Sequence, residues 1–213
     1  VGALKALYAY TGHETGALEL AQTACVIERD VLHKPIGIQD QYIVAHGGFR
    51  FFEFSPGGQV VSRKLPIGKL SDHLLLFFTG ITRDSGEILQ SQTKNLSKNR
   101  DVLREMKKLA YLAVKKIEKG NYNAFGKLLD ENWQLKKKLA TAISSSAIDG
   151  WYQKALDAGA TGGKVLGAGG GGFLLLYCPN GSKEKVRLAL CELTEIPVEP
   201  EPDGAKVILN YRT

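Results

Sequence analysis

The stretch that most constrains the fold is residues 165–178, Val-Leu-Gly-Ala-Gly-Gly-Gly-Gly-Phe-Leu-Leu-Leu-Tyr-Cys. Two short apolar runs read as neighbouring strands around a loop that is nearly all glycine. Consecutive glycines carry the largest backbone entropy cost and fill no space. A chain keeps them where backbone N–H groups must approach an anion closely, or where φ must be positive at several successive residues. A flexible hairpin tip is the plain alternative. The flanking strands look buried and the loop is not polar, which favours a loop that faces phosphate.

The loop contains G-x-G-x-x-G as Gly167, Gly169 and Gly172, with Glu192 about 20 residues on. A dinucleotide fingerprint requires the last glycine to open a helix, whereas Phe173 to Cys178 is an unbroken apolar run closed by Pro179. A Walker loop is excluded as well, because Phe173 stands where the phosphate-binding lysine would be.

With 213 residues, 44% of them hydrophobic, the chain has one or two domains and a real core. Its 28 basic and 22 acidic residues give a net charge of +6, which suits anionic small molecules as well as nucleic acid. Lys136-Lys137-Lys138 is the one lysine run, and for most of the lysines a solvated helix face is the simplest reading. Cys25, Cys178 and Cys191 lack metal-type spacing and lie in apolar patterns, as reduced core thiols of a cytoplasmic protein would. A secretory signal, a membrane-length apolar run and basic–aromatic interleaving are all lacking, so neither a membrane nor a nucleic acid is the expected partner.

Val1 to Tyr10 reads as the body of a helix, with Ala3, Leu7 and Tyr10 on one stripe and no capping residue before it. The expectation is a piece of a longer protein. A second helix is expected to run to about Leu32, with Thr15 placed to cap it. It is apolar on two overlapping stripes and therefore buried, with Glu28 on one of them. A buried carboxylate must be paired, hydrogen-bonded or bound to a cation; Arg29, Lys34 and a metal ion all remain open as partners. Pro35 and Gly37 make a turn, after which Asp40 sits between Gln39 and Gln41. Asp40 is either a helix cap or a carboxylate held ready to take a proton or balance a cation. Strands are expected at Phe49–Phe54, Gln59–Leu65 and Leu74–Phe78. The last ends in Thr79-Gly80-Ile81-Thr82-Arg83-Asp84, a place for ligand contacts or a plain turn. Helices are expected at 84–118 (broken near Ser97 or Asn99), 122–139, 147–158 and 183–193, with a last strand at Lys206–Asn210. This order suits an α+β sandwich of helices on an antiparallel sheet.

Residues 167–173 resemble the third motif of the GHMP kinases, the galactokinase, homoserine, mevalonate and phosphomevalonate kinase superfamily. Residues 34–42, Lys-Pro-Ile-Gly-Ile-Gln-Asp-Gln-Tyr, resemble the segment that carries the catalytic aspartate in its sugar-kinase branch. With Phe78 to Arg83 added, the nearest pattern is that of bacterial D-glycero-D-manno-heptose 7-phosphate kinases; fucokinase-like and galactokinase-like enzymes share much of it. The resemblance runs over the whole chain. It implies a GHMP-kinase-like α+β fold, with residues 1–70 the remainder of the N-terminal ATP and catalytic domain and 71–213 the C-terminal domain. It implies phosphoryl transfer from ATP, with Mg²⁺, to the anomeric hydroxyl of a sugar or sugar phosphate. Asp40 matches the catalytic aspartate and Glu28 the Mg²⁺-binding glutamate. Gly167, Ala168, Gly169, Gly170, Gly171 and Gly172 match the loop beside the phosphates. Gly37, Gln39, Gln41, Gly47, Gly48, Thr79 and Arg83 form the substrate set, and Arg83, Arg50 and Lys164 are candidates for a distal phosphate on the sugar. The family's second motif, a Gly-Leu-Gly-Ser-Ser-Ser loop, is absent from the sequence. In the family it directly precedes a helix resembling Val1 to Tyr10. Apolar residues from Leu4 through Val44 are then expected to lie partly open to water. The chain alone would self-associate or need the N-terminal part of the same protein, and would bind ATP–Mg²⁺ weakly. A non-catalytic binding module is the alternative from another class.

Overall fold

A computed structural model describes residues 1–83 and 85–209. The chain divides into two compact units, residues 1–65 with the described part of 200–213, and residues 66–199.

In the first unit α1 (Gly2–Thr11) ends at Gly12, whose φ of +75° takes the left-handed cap conformation. Next come α2 (Ala17–Cys25), a π-helical turn (Val26–Val31) and α3 (Gln39–His46). An antiparallel hairpin of β1 (Arg50–Phe54) and β2 (Val60–Lys64) follows, with Phe52 opposite Ser62. Leu20, Ala21, Cys25, Tyr42 and Ala45 form the core, with Leu4, Tyr8, Phe52 and Val60 packed against it. The readings of the second helix and of the last strand are both corrected here. First, Thr15 does not cap the second helix; Gly16 holds the cap position and the Thr15 hydroxyl bonds Glu19 at 3.1 Å. Nor is that helix buried all round. Leu20, Ala21, Ala24 and Cys25 are buried, while Leu18, Val26, Ile27, Val31 and Leu32 are exposed. The π turn adds a residue per turn and so carries the positions after Cys25 off the buried stripe. Second, residues 206–209 form no strand, and Asn210 lies outside the described residues. The stretch just before it ties to α3 and the glycine pair behind that helix, through Ala205 N to Val44 O at 2.8 Å and Gly48 N to Glu201 O at 2.7 Å. Leu7, Tyr10 and Val44 join the exposed apolar set, as the pattern from Leu4 to Val44 led one to expect.

The second unit is built on an antiparallel sheet in the order β4–β5–β3–β6. Its strands are β3 (Leu74–Phe78), β4 (Gly162–Val165), β5 (Phe173–Tyr177) and β6 (Thr194–Ile196). Side chains alternate across a strand. Leu75 and Phe77 of β3, Leu174 and Leu176 of β5 and Val165 of β4 therefore share a face and are buried with Trp133, Ile143, Ile148, Tyr152 and Leu190. The covering helices are α4 (Ser85–Lys94), α5 (Arg100–Glu118), α6 (Tyr122–Lys137), α7 (Ser146–Asp157) and α8 (Lys183–Ala189). The long helical stretch breaks at 95–99 as expected, and Asn99 turns its amide to the Leu139 carbonyl at 3.0 Å. The expected start at Asp84 lies outside the described residues. β6 has three residues, too few for an alternation to show in the sequence, and is held by Arg187 on Glu195 at 2.8 Å.

The buried Tyr152 of α7 donates its hydroxyl to Asp130 of α6 at 2.8 Å, and burial together with that carboxylate pushes its pKa up. Tyr152→Phe is expected to cost about 1 kcal/mol in urea unfolding, the net worth of one hydrogen bond, plus part of the penalty for the stranded partner. A loss under about 0.3 kcal/mol would mean that water replaces the hydroxyl at no cost.

Candidate functional site

The glycine loop joins β4 to β5 and is closed by Leu166 N on Phe173 O at 2.9 Å. Gly167, Gly169, Gly170 and Gly172 have φ of +64°, +107°, +75° and +83°. Gly171 is glycine for a different reason, since a Cβ there would stand 2.5 Å from the Ile81 carbonyl oxygen. The loop is thus a packed turn, not a soft tip. Its carbonyls are taken from behind: Lys136 Nζ on Gly167 at 2.6 Å, Gln92 Nε2 on Ala168 at 3.3 Å, and the Thr79 amide and hydroxyl on Gly172, each at 2.9 Å. The Gly170 amide is spent on Ile143 O at 2.8 Å and that of Gly172 on Ile81 O at 2.7 Å. The amides of Gly167, Ala168, Gly169 and Gly171 find no acceptor among the described residues. Free N–H groups on a backbone with successive positive φ are a nest for an anion, and a phosphate fits this donor set.

Lys136 corrects the reading of the lysine run. Lys137 does reach a surface carboxylate, Asp149, at 3.1 Å. Lys136, however, is only 8% exposed, because Gly126, Trp133 and Lys136 lie on the face of α6 that is buried. Burial, with the charge of Lys164 nearby, pushes its pKa down from 10.5 to about 8. Burial lowers Lys164 as well. Between about pH 8 and 10.5 the unfolded chain binds a proton at Lys136 that the folded chain has released. Raising the pH through that window therefore favours the fold. The wild type is expected to gain up to about 3 kcal/mol on Lys136→Met between pH 8 and 10.5, read as the difference between their urea-unfolding free energies. Equal pH dependence in both proteins would show that Lys136 keeps an ordinary pKa.

The carboxylates of interest lie in the first unit. Asp40 sits in the first turn of α3, exposed, where the helix N-terminus favours a negative charge. It is not the cap, a place held by Ile38. Glu28 lies in the π-helical turn and is half-buried rather than buried, with no ion-pair partner among the described residues. Arg29 pairs with Asp30 at 2.8 Å instead. No cluster of three metal-ligating side chains occurs among the described residues. A single free carboxylate still suits Mg²⁺, which is commonly held by one or two carboxylates plus substrate phosphates. Between the two carboxylates the backbone is irregular, and His33 holds a φ of +51°, an uncommon conformation that clusters at functional sites. Gln41 is buried with its Oε1 unpartnered among the described residues, while Gln39 and Gly37 are exposed.

Other members of the substrate set are occupied within the fold. The Gly47 amide bonds Ile43 O at 2.8 Å and that of Gly48 bonds Glu201 O; Arg50, a candidate for the distal phosphate and not of that set, holds Gly47 O at 2.8 Å and Ser62 at 3.1 Å. Thr79 is spent on the glycine loop. Arg83 is exposed and runs beside the loop, its Cδ 3.5 Å from where a Cβ on Gly170 would stand. Sequence reasoning missed Lys136 and Gln92 as loop contacts. For Lys136 a signal existed, the i, i+3 spacing from Trp133 that shares its face; for Gln92 there was none.

Residues 113–195 match the family described as GHMP kinases C terminal. The chain is 30% identical over 184 residues to D-glycero-alpha-D-manno-heptose 7-phosphate kinase of Campylobacter jejuni, covering 83% of this chain and 54% of that protein. It is 30% identical over 172 residues to the L-fucokinase/L-fucose-1-P guanylyltransferase of Bacteroides fragilis, covering 74% of this chain and 18% of that protein. A solved structure titled D-glycero-D-manno-heptose 1-phosphate kinase, from Bacteroides thetaiotaomicron, superposes with a TM-score of 0.71 at 27% identity over 94% of this chain and 58% of that one. The chain therefore spans about half the length of the heptose kinase it matches.

Proposed function

We propose, from a chain that has the GHMP kinase fold and carries that family's C-terminal domain in residues 113–195, that the protein is an ATP-dependent sugar kinase acting on an anomeric hydroxyl. The acceptor we propose is D-glycero-D-manno-heptose 7-phosphate, the substrate in the name of the Campylobacter relative. The observation that carries this reading is the glycine loop, with carbonyls bound from behind and four amides unspent. In the proposed chemistry the Asp40 carboxylate takes the proton of the anomeric hydroxyl as its oxygen attacks the terminal phosphorus of ATP and the bond to the ADP oxygen breaks. The amides of Ala168, Gly169 and Gly171 donate to phosphate oxygens and stabilise the charge spread over them. Glu28 would hold Mg²⁺, which supplies charge neutralisation at the phosphates. Arg83 and Lys164 are our candidates for the distal phosphate of the sugar. We assign residues 1–70 to the catalytic domain and 71–213 to the C-terminal domain of such a kinase, with the described part of 200–213 returning to the first compact unit, and we place its work in the cytoplasm. The exposed apolar side chains of the first unit support a reading in which further protein, the rest of a longer chain or a second copy, covers them.

The test is an ADP-release assay on the full-length protein with heptose 7-phosphate, fucose and galactose as acceptors. The expected order places heptose 7-phosphate first in kcat/KM by at least about tenfold. A preference for an unphosphorylated sugar would favour the fucokinase-like reading, which the Bacteroides relative supports. No turnover with any sugar, joined to intact folding, would leave the non-catalytic binding module.

A further inference from the structure

Lys136 has no part in the chemistry above, yet a lysine is an expensive residue to bury. It is 8% exposed, Lys164 lies close enough to act on its charge, and neither lysine has a carboxylate partner among the described residues. Several charges on the elements around it are engaged elsewhere. Lys137 is on Asp149, Asp130 takes the hydroxyl of Tyr152 and the amide of Gln134, and on α5 Asp101 and Glu105 pair with Arg104 and Lys108. Burying an unpaired charge carries a desolvation cost that an apolar residue of the same volume would not. Packing therefore gives no reason for the amine.

The geometry of the loop does give one. A peptide unit is planar and trans, so its N–H points opposite to its C=O. Lys136 Nζ holds the Gly167 carbonyl at 2.6 Å and Gln92 Nε2 holds the Ala168 carbonyl at 3.3 Å. The partner N–H groups of those two peptide units belong to Ala168 and Gly169, and both are without an acceptor among the described residues. The two side chains behind the loop thus aim two successive amides away from themselves. The next amide, of Gly170, turns back to Ile143, so on that side the outward pair is bounded by the fold.

We infer that Lys136, seconded by Gln92, is a positioning residue for ATP: it fixes the Gly167 carbonyl so that the amides of Ala168 and Gly169 are presented together to a phosphate oxygen. This rests on the reading of the loop as the phosphate loop. The ammonium also places a positive charge behind the peptide units it orients.

The test uses the full-length protein with Lys136→Met, Lys136→Arg and Gln92→Leu. ATP–Mg²⁺ affinity is measured by calorimetry and thermal stability without ligand. Lys136→Met is expected to be as stable as the wild type or more so, while its Kd rises about tenfold, the scale of one charge-assisted contact. Lys136→Arg restores most of the affinity, and Gln92→Leu weakens it by about threefold, in keeping with one neutral hydrogen bond. A merely structural lysine would lose stability and affinity together. The inference is overturned if Lys136→Met binds within twofold of the wild type, or if its weaker binding comes with a matching fall in Tm. Should Lys136→Met fail to fold, unchanged affinity in Gln92→Leu overturns it equally. Wild-type binding with an unaffected Lys136→Met sinks this inference alone; a wild type without ATP–Mg²⁺ affinity sinks the phosphate-loop reading beneath it.

Discussion

Asp40→Asn in the full-length protein is expected to lower kcat by about 10²–10⁴-fold, the usual loss for a general base, while ATP–Mg²⁺ binds with its wild-type affinity. Asp40 is exposed in the first turn of α3, and its side chain makes no hydrogen bond or ion pair among the described residues. Asparagine has the same shape and is tolerated at a helix start. The change in stability should therefore stay near the about 0.5 kcal/mol that a charge at this end contributes. The lost function is specific: the amide cannot accept the proton of the attacking hydroxyl. Steady-state kinetics with the preferred sugar, beside calorimetric titration of nucleotide, separate the two effects. A variant that keeps more than half of the wild-type kcat would show that Asp40 serves only the start of its helix.

Gly170→Val is expected to destabilise the second unit by about 3 kcal/mol or more and to weaken ATP–Mg²⁺ binding beyond tenfold. Two costs add at this position. The φ of +75° is strained for a β-branched residue, and a Cβ would stand 2.8 Å from both the Ala142 carbonyl oxygen and Ile88 Cδ1. Strain in the left-handed region and overpacking each cost about 1–3 kcal/mol. Gly172→Ala is the control. Its φ is +83°, but nothing lies within 4 Å of the added carbon, so only the strain of about 1 kcal/mol is expected. Urea unfolding of both variants gives the comparison. A Gly170→Val protein within about 1 kcal/mol of the wild type would return the loop to the status of a flexible hairpin tip.

Much of the second unit was legible because its signals are local. The apolar runs Leu74–Phe78 and Phe173–Tyr177 are strands, the glycine run between two strands is a tight loop, and the helix break fell near Asn99, as expected. In the first unit, Glu28 was placed on a buried stripe by a period of 3.6 residues. That period does not hold through a π-helical turn, and the side chain is half-buried. The segment from Lys206 has the composition of a strand and is none over its described residues: Ala205 just before it bonds the Val44 carbonyl of α3, and residues 206–209 pair with no strand.

The sequence by itself determined the element types, the reversal at the glycines and the family resemblance, because periodicity, turn residues and short motifs act over a few neighbouring positions. Only the tertiary structure decided which lysine of the run at 136–138 is buried. Its three members are chemically equal, and the choice was made by where α6 meets β4, at the close approach of Gly126 and Gly162. The same packing decided what Lys136 and Gln92 do. A carbonyl 31 residues from its lysine and another 76 residues from its glutamine are brought within reach only when the helices close on the sheet, and a local pattern holds no record of contacts made at that distance.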